Sequence, residues 1–233
     1  MRKFSLGFLL SAALVATAAH AEFSVTPTLT NDYDFRGVSQ SAKDFAPQLS
    51  LDYAHDSGFY AYAWGSKIDF GPDSNSDVEL DLAIGYGQEL ANGISWDSGL
   101  VWYTYPGESD FNYPEAWVGL SRGWFSAKLW YSWDYVAADQ SAWYLEANGE
   151  FPLPQDWSLQ VHAGVSTGPF WDDANGGEYE DWSVGVARSF GKFDFSIKWV
   201  DSIDLPPSGE DLFSTDGRVI VAVSTTLPWG KDE

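Results

Sequence analysis

Charged side chains recur at every second residue along extended stretches of this 233-residue chain. Asp32, Asp34 and Arg36 share one parity, as do Lys67 and Asp69, and as do Glu79 and Asp81. Asp52, Asp97, Glu115, Lys128, Asp134, Glu146, Glu150, Asp181, Asp194, Lys198 and Arg218 fall likewise on the polar face of their own stretches. Alternate residues of a strand point to opposite faces, so these groups gather on one side of a sheet. Their chemistry there is electrostatic. An excess of carboxylates around an aqueous path favours cations, and low-dielectric walls focus the field. Arg36, Lys198 and Arg218 lie on the first and the last two stretches, while many of the acids lie on the middle ones. Closing the sheet sets a basic strip across from an acidic wall; the alternative is that the charges pair and fill the interior.

Aromatic residues share that polar face. Tyr103, Tyr105, Trp117, Trp124, Trp130 and Tyr144 lie on neighbouring stretches. Beside carboxylates they suit an organic cation, through cation–π attraction of roughly 0.5–2 kcal/mol per contact. They equally suit a stacked sugar ring, or serve as filler of a narrow interior. Catalysis finds little support. Only His55 and His162 follow the N-terminal segment, and His55 falls in a tight turn. His162 shares its face with Ser158 and Ser166, each roughly 13 Å away along the strand, too far for a nucleophile–base hydrogen bond. The run DDANGGEYED, Asp172 to Asp181, departs from the EF-hand spacing because Gly177 stands at a ligand position. No enzyme, cofactor or metal site is expected.

The elements that position these groups are long alternating strands. In FSVTPTLTNDYDFRG, residues 23 to 37, the odd positions are apolar or aromatic except Asn31, and the even positions are all polar. Comparable segments follow at 47–54, 59–70, 78–88, 94–105, 115–121, 124–135, 142–151, 157–166, 181–190, 193–201 and 218–227. The connections alternate between short turns such as HDSG, ELANG, RG and GK and long loops. Phe125, Phe151, Trp157, Phe190, Phe193 and Trp229 fall on the apolar face beside short turns; Phe35, Trp102, Trp133, Trp143, Trp182 and Trp199 fall there beside long loops. About twelve segments with two aromatic girdles predict an all-β fold: a transmembrane, antiparallel, up-and-down β-barrel. A soluble β-sandwich also alternates but does not explain the long–short rhythm.

Composition sets the compartment. Arg2 and Lys3 precede an apolar run that ends in Ala19-His20-Ala21, the layout of a signal peptide over residues 1–21. Residues 22–233 then form one barrel domain. The run is too short to span a bilayer, and no later apolar stretch approaches the roughly 20 residues of a membrane helix. The net charge of −22 excludes the basic surface that nucleic acid needs. With no cysteine, neither disulfides nor thiolate sites support the fold.

With NDYDFRGVSQS, SGFYAYAWGSKIDF, ELDLAIGYG, YTYPG, FSAKLWYS, YLEANGEFPLP and GKFDFSIKWVDS placed on these strands, the chain resembles the TorF family of porin-like proteobacterial outer-membrane proteins along its whole length after residue 21. The resemblance implies a porin-like barrel in the Gram-negative outer membrane, assembled there by the barrel-assembly machinery. Such barrels commonly stop at a terminal aromatic, whereas this chain continues LPWGKDE, leaving Trp229 as the candidate assembly signal.

The expected function is passive diffusion of small hydrophilic solutes with a preference for cations, in contact with outer-membrane lipid and lipopolysaccharide. The competing expectation is a plugged barrel with a structural or surface-interaction role. A long loop, 167–180 or 202–217, is a candidate to fold inward and narrow the path.

Overall fold

Every strand that the alternation implies has a partner on both sides. The computed structural model describes residues 22–91, 93–206 and 208–229; the signal segment 1–21 lies outside them. Twelve antiparallel strands close into one barrel. In chain order they are β1 Glu22–Thr30, β2 Ala46–Ala54, β3 Phe59–Lys67, β4 Val78–Glu89, β5 Ser95–Thr104 and β6 Tyr113–Arg122, then β7 Phe125–Ser132, β8 Ala142–Pro152, β9 Trp157–Thr167, β10 Tyr179–Phe190, β11 Phe193–Ile203 and β12 Arg218–Ser224. Each pairs with its sequence neighbours, and β12 pairs with β1 to close the ring. Short turns join strands at one end and long loops at the other.

The outer face is apolar. Leu80, Leu82 and Ile84 of β4, Leu100 and Trp102 of β5, and Val219 and Val221 of β12 all stand exposed on it. No described helix is long and apolar enough to cross a membrane; the apolar band belongs to strands, which pair with a neighbour on each side and close the ring without an open edge. Phe125, Phe190, Phe193 and Trp229 are exposed toward the short turns, and Trp102, Trp133, Trp143 and Trp199 toward the long loops.

The first strand is shorter than its periodicity suggests. The wall strand ends at Thr30, and residues 31–45 turn into the barrel. There Asp34–Phe35 and Val38–Ser39 form a small hairpin of their own. Arg36 and Gly37 are its two turn residues, with φ of +53° and +83°, the pair of left-handed residues that a type I′ turn requires. Gly37 adopts that conformation freely; Arg36 does so at about 1–2 kcal/mol. Phe35 is therefore not in the outer girdle. It packs inside, with its ring centroid 5.9 Å from that of Tyr103.

Three other placements also need correction. Lys67 pairs with Val78, which is exposed on the outer face, so Lys67 points outward rather than into the lumen. The inward face of β3 carries Tyr60, Tyr62 and Trp64 instead, because Trp64 must pack against Tyr33 of the inserted segment at 5.2 Å; here aromatics line the inside. Asp134 sits in the loop after β7, where its carboxylate accepts the Asp139 amide at 2.8 Å, and so belongs to the rim. Trp124 is 58% exposed in the turn between β6 and β7, packs on Phe151, and stands at the mouth of the lumen rather than along a strand.

Candidate functional site

The lumen divides into a filled half beneath the long loops and a hollow half toward the short turns. The filled half is built on the inserted segment. Arg218, at the start of β12, donates through Nε to Asp32, through one terminal nitrogen to Asp34 and through the other to the Gly37 carbonyl at 3.0 Å. Lys198 of β11 adds a contact with Asp34 at 3.8 Å. Ser39 and Ser41 donate to the other oxygen of Asp32. At the hairpin tip Arg36 forms a two-pronged pair with Glu115 of β6, at 3.0 and 2.6 Å, and Tyr103 donates to the same carboxylate at 3.1 Å. Bidentate geometry of this kind fixes orientation as well as charge. The guanidinium also lies over the rings of Tyr144 and Phe35, at 4.2 and 4.7 Å.

Aromatic rings seal the layer above. Tyr103 stacks on Tyr113 at 4.6 Å, Tyr113 meets Tyr135 at 5.0 Å, and Tyr135 meets Phe170 at 4.9 Å. Phe170 and Trp171 come from the helix Pro169–Ala174, so loop 167–180 adds its rings to the top of this buried cluster. Burial pushes the Tyr135 hydroxyl up to about 12, against the pull of the Arg36 guanidinium. Loop 202–217 supports the plug from the side: Ser214 accepts the Ser39 amide at 2.9 Å, and Phe213 packs on Phe70. Asp69 is tied in as well, its amide donating to Gln40. The loop that makes the ion pairs across the lumen is thus the first one, and the two singled out from the sequence pack against it.

Glu79 and Asp81 of β4 are buried beside Tyr33 in this half. Tyr105, also buried, packs on Phe70 with the rings tilted and their centroids 5.7 Å apart. Tyr103 and Tyr105 accordingly form the core of the plug, while Trp117 and Trp130 face the hollow half.

That half is a cavity of about 780 Å³, extending from Trp117, Trp130 and Glu146 to the turn residues Gly93 and Gly123. The strand register organises its wall. Asp97, Gly119, Lys128, Glu146, Gly164 and Asp181 are successive partners around β5 to β10, so three carboxylates and one ammonium share a ladder row. Asp97 accepts from the Tyr60 hydroxyl at 2.8 Å and the Trp117 indole at 2.6 Å. Glu146 accepts from the Trp130 indole at 2.9 Å and from Asn148 at 3.1 Å. The large rings fit because the wall behind them is glycine: a Cβ at Gly85 would strike the Tyr60 ring, and one at Gly99 the Trp117 indole. Glu150 and Asp194 line the same cavity nearer its mouth.

Between the two halves lies a network that spacing along one strand cannot reveal. His162 of β9 meets Asp181 at 2.8 Å and Tyr144 at 3.0 Å through Nε2, and Asn148 at 2.6 Å through Nδ1. Its partners come from β8 and β10 rather than from its own strand. Only the inter-strand register could have signalled them.

The profile of a family described as a bacterial protein of unknown function (Gcw_chp) matches residues 15–225. No curated protein matches the sequence. Among solved structures, the chain is similar to the NanC porin (TM-score 0.57, 8% identity, 88% of this chain and 98% of that one). It is also similar to the KdgM porin in complex with disordered oligogalacturonate (0.55, 10%, 88% and 98%). A third is the COG4313 outer membrane channel from Pseudomonas putida F1 (0.52, 10%, 94% and 99%). At these identities the likeness is one of fold.

Proposed function

Because the chain belongs to the Gcw_chp family and shares the barrel of solved outer-membrane porins, we propose that it is a porin-like channel of the outer membrane that passes small hydrophilic solutes and prefers cations. The observation that supports this most is the cavity of about 780 Å³, whose wall carries Glu89, Asp97, Glu146, Glu150, Asp156 and Asp194 against the cations Arg122, Lys128 and Arg188. Rings of carboxylates in a confined path attract cations and repel anions. The TorF resemblance favours the same reading. In it, residues 1–21 direct export, the long loops face outward, and lipid and lipopolysaccharide meet the two aromatic girdles. No chemical step is assigned to the barrel.

A second reading is favoured by the filled half, where the ion pairs of Arg36 and Arg218 close the lumen under the long loops. In that reading the barrel is plugged, and its surface is its function. Conductance of the refolded protein in a planar bilayer under a KCl gradient separates the two. Discrete steps with a reversal potential on the cation side are the expected result. Anion-side reversal would keep the channel and remove the cation preference, and a verified barrel without steps would favour the plug.

A further inference from the structure

Lys128 stands where a soluble ammonium ion would bind. Its Nζ lies over the indole faces of Trp117 and Trp130, 5.4 and 5.1 Å from the ring centroids, and 3.7 Å from Asp97 Oδ2. Charge-assisted N–H···O bonds are ordinarily about 2.7–2.9 Å, so the ammonium is held by the ring faces and the local field rather than by a fixed hydrogen bond. Its surroundings, by contrast, are fixed. The Trp117 and Trp130 indoles are each pinned through their N–H to a carboxylate, Asp97 and Glu146 respectively. Trp117 is 5% exposed and Glu146 9%. Two indole faces and two carboxylates converging in a cavity are the elements that recognise an organic cation. A flexible four-carbon side chain is the one mobile part of the arrangement.

We propose that Trp117, Trp130, Asp97 and Glu146 form a binding subsite for primary organic ammonium ions, and that the Lys128 ammonium is the resident ion which such a solute displaces. The proposal deepens the cation-channel reading and rests on it for its purpose, though not for its chemistry. Asp97 and Glu146 flank Lys128 around the same ladder row, so a short diamine can present one ammonium to each carboxylate.

Calorimetric titration of the refolded protein in detergent with 1,4-diaminobutane tests it without requiring conduction, so a failed channel and a failed subsite give different results. Lys128→Met, which keeps an apolar arm and removes the charge, is expected to bind the diamine about tenfold more tightly than the unaltered protein, and Asp97→Asn about tenfold more weakly. Binding seen only in Lys128→Met would also support displacement. Equal or weaker affinity in Lys128→Met overturns the proposal, as does an equal response to 1,4-butanediol, which has no charge. A heat-dependent shift in gel migration checks that each variant is folded, and Lys128→Gln serves where Lys128→Met is not.

Discussion

Arg218 is 8% exposed, and its guanidinium serves Asp32, Asp34 and the Gly37 carbonyl at once. Removing one partner of a buried ion pair leaves the other charged and dry, at about 3–5 kcal/mol. In Arg218→Ala that penalty falls on Asp32, which is 2% exposed and belongs to the inserted segment rather than to the wall. The segment is therefore expected to leave its seat while the barrel stays closed, and single-channel conductance in a planar bilayer should rise. Arg218→Lys should give an intermediate conductance, since a single ammonium cannot reproduce the planar fork. Unchanged conductance in Arg218→Ala would mean that the hairpin is not the narrowest point. Glu115 offers an independent check at the other end of the hairpin: Glu115→Gln loses the charge that holds Arg36 and should shift conductance in the same direction.

At the scale of elements, the seam between β1 and β12 is the weakest part of the ring. It has three partner pairs, from Thr28↔Ser224 to Thr30↔Ala222, plus a bridge between Val25 and Leu227, whereas β10 and β11 share eleven. Pro27 lacks an amide on this side, and its carbonyl accepts Thr225 at a long 3.3 Å. Where the chain leaves the wall, Asn31 substitutes for the missing strand. Its backbone amide donates to Val221, its side-chain oxygen accepts the Val221 amide at 2.6 Å, and its side-chain nitrogen donates to Val219 at 3.2 Å. Asn31→Ala should destabilise the barrel by about 1–3 kcal/mol by leaving those groups unpaired, read as a lower urea midpoint for unfolding from detergent. Asn31 was also the visible sign in the sequence, the one break in an otherwise perfect alternation. Twelve segments, their order and their short–long connections were legible because period-2 patterning is local. The inserted hairpin was not, because it is itself extended and keeps the same period as the wall it leaves. Lys67 was misplaced for a related reason: beside the plug, the inner face of β3 is aromatic, so polarity no longer marks the lumen. The row joining Asp97, Lys128 and Glu146, and the partners of His162, depend on register between strands, which no single strand encodes.

For the molecule as a whole, the two halves of the lumen make different demands on any ion that crosses. In the long-loop half, Arg36 with Glu115 and Arg218 with Asp32 and Asp34 are paired at contact distance, so the fields of these groups largely cancel. In the short-turn half, the carboxylates of Glu89, Asp97, Glu146, Glu150, Asp156 and Asp194 outnumber the cations Arg122, Lys128 and Arg188 around an open cavity. Selectivity set there acts through a field across water and must respond to screening. The Debye length is about 10 Å at 0.1 M salt, comparable to the width of a cavity of this volume, and about 3 Å at 1 M. At a fixed KCl ratio across the bilayer, the reversal potential should therefore lie well to the cation side near 0.1 M and move toward zero near 1 M. The double substitution Asp97→Asn, Glu150→Gln should reduce it already at the lower concentration. A reversal potential unchanged by salt would instead locate selectivity at a contact site too tight for counter-ions, which in this barrel means the Arg36–Glu115 layer. Salt dependence thus distinguishes which half of the lumen chooses the ion.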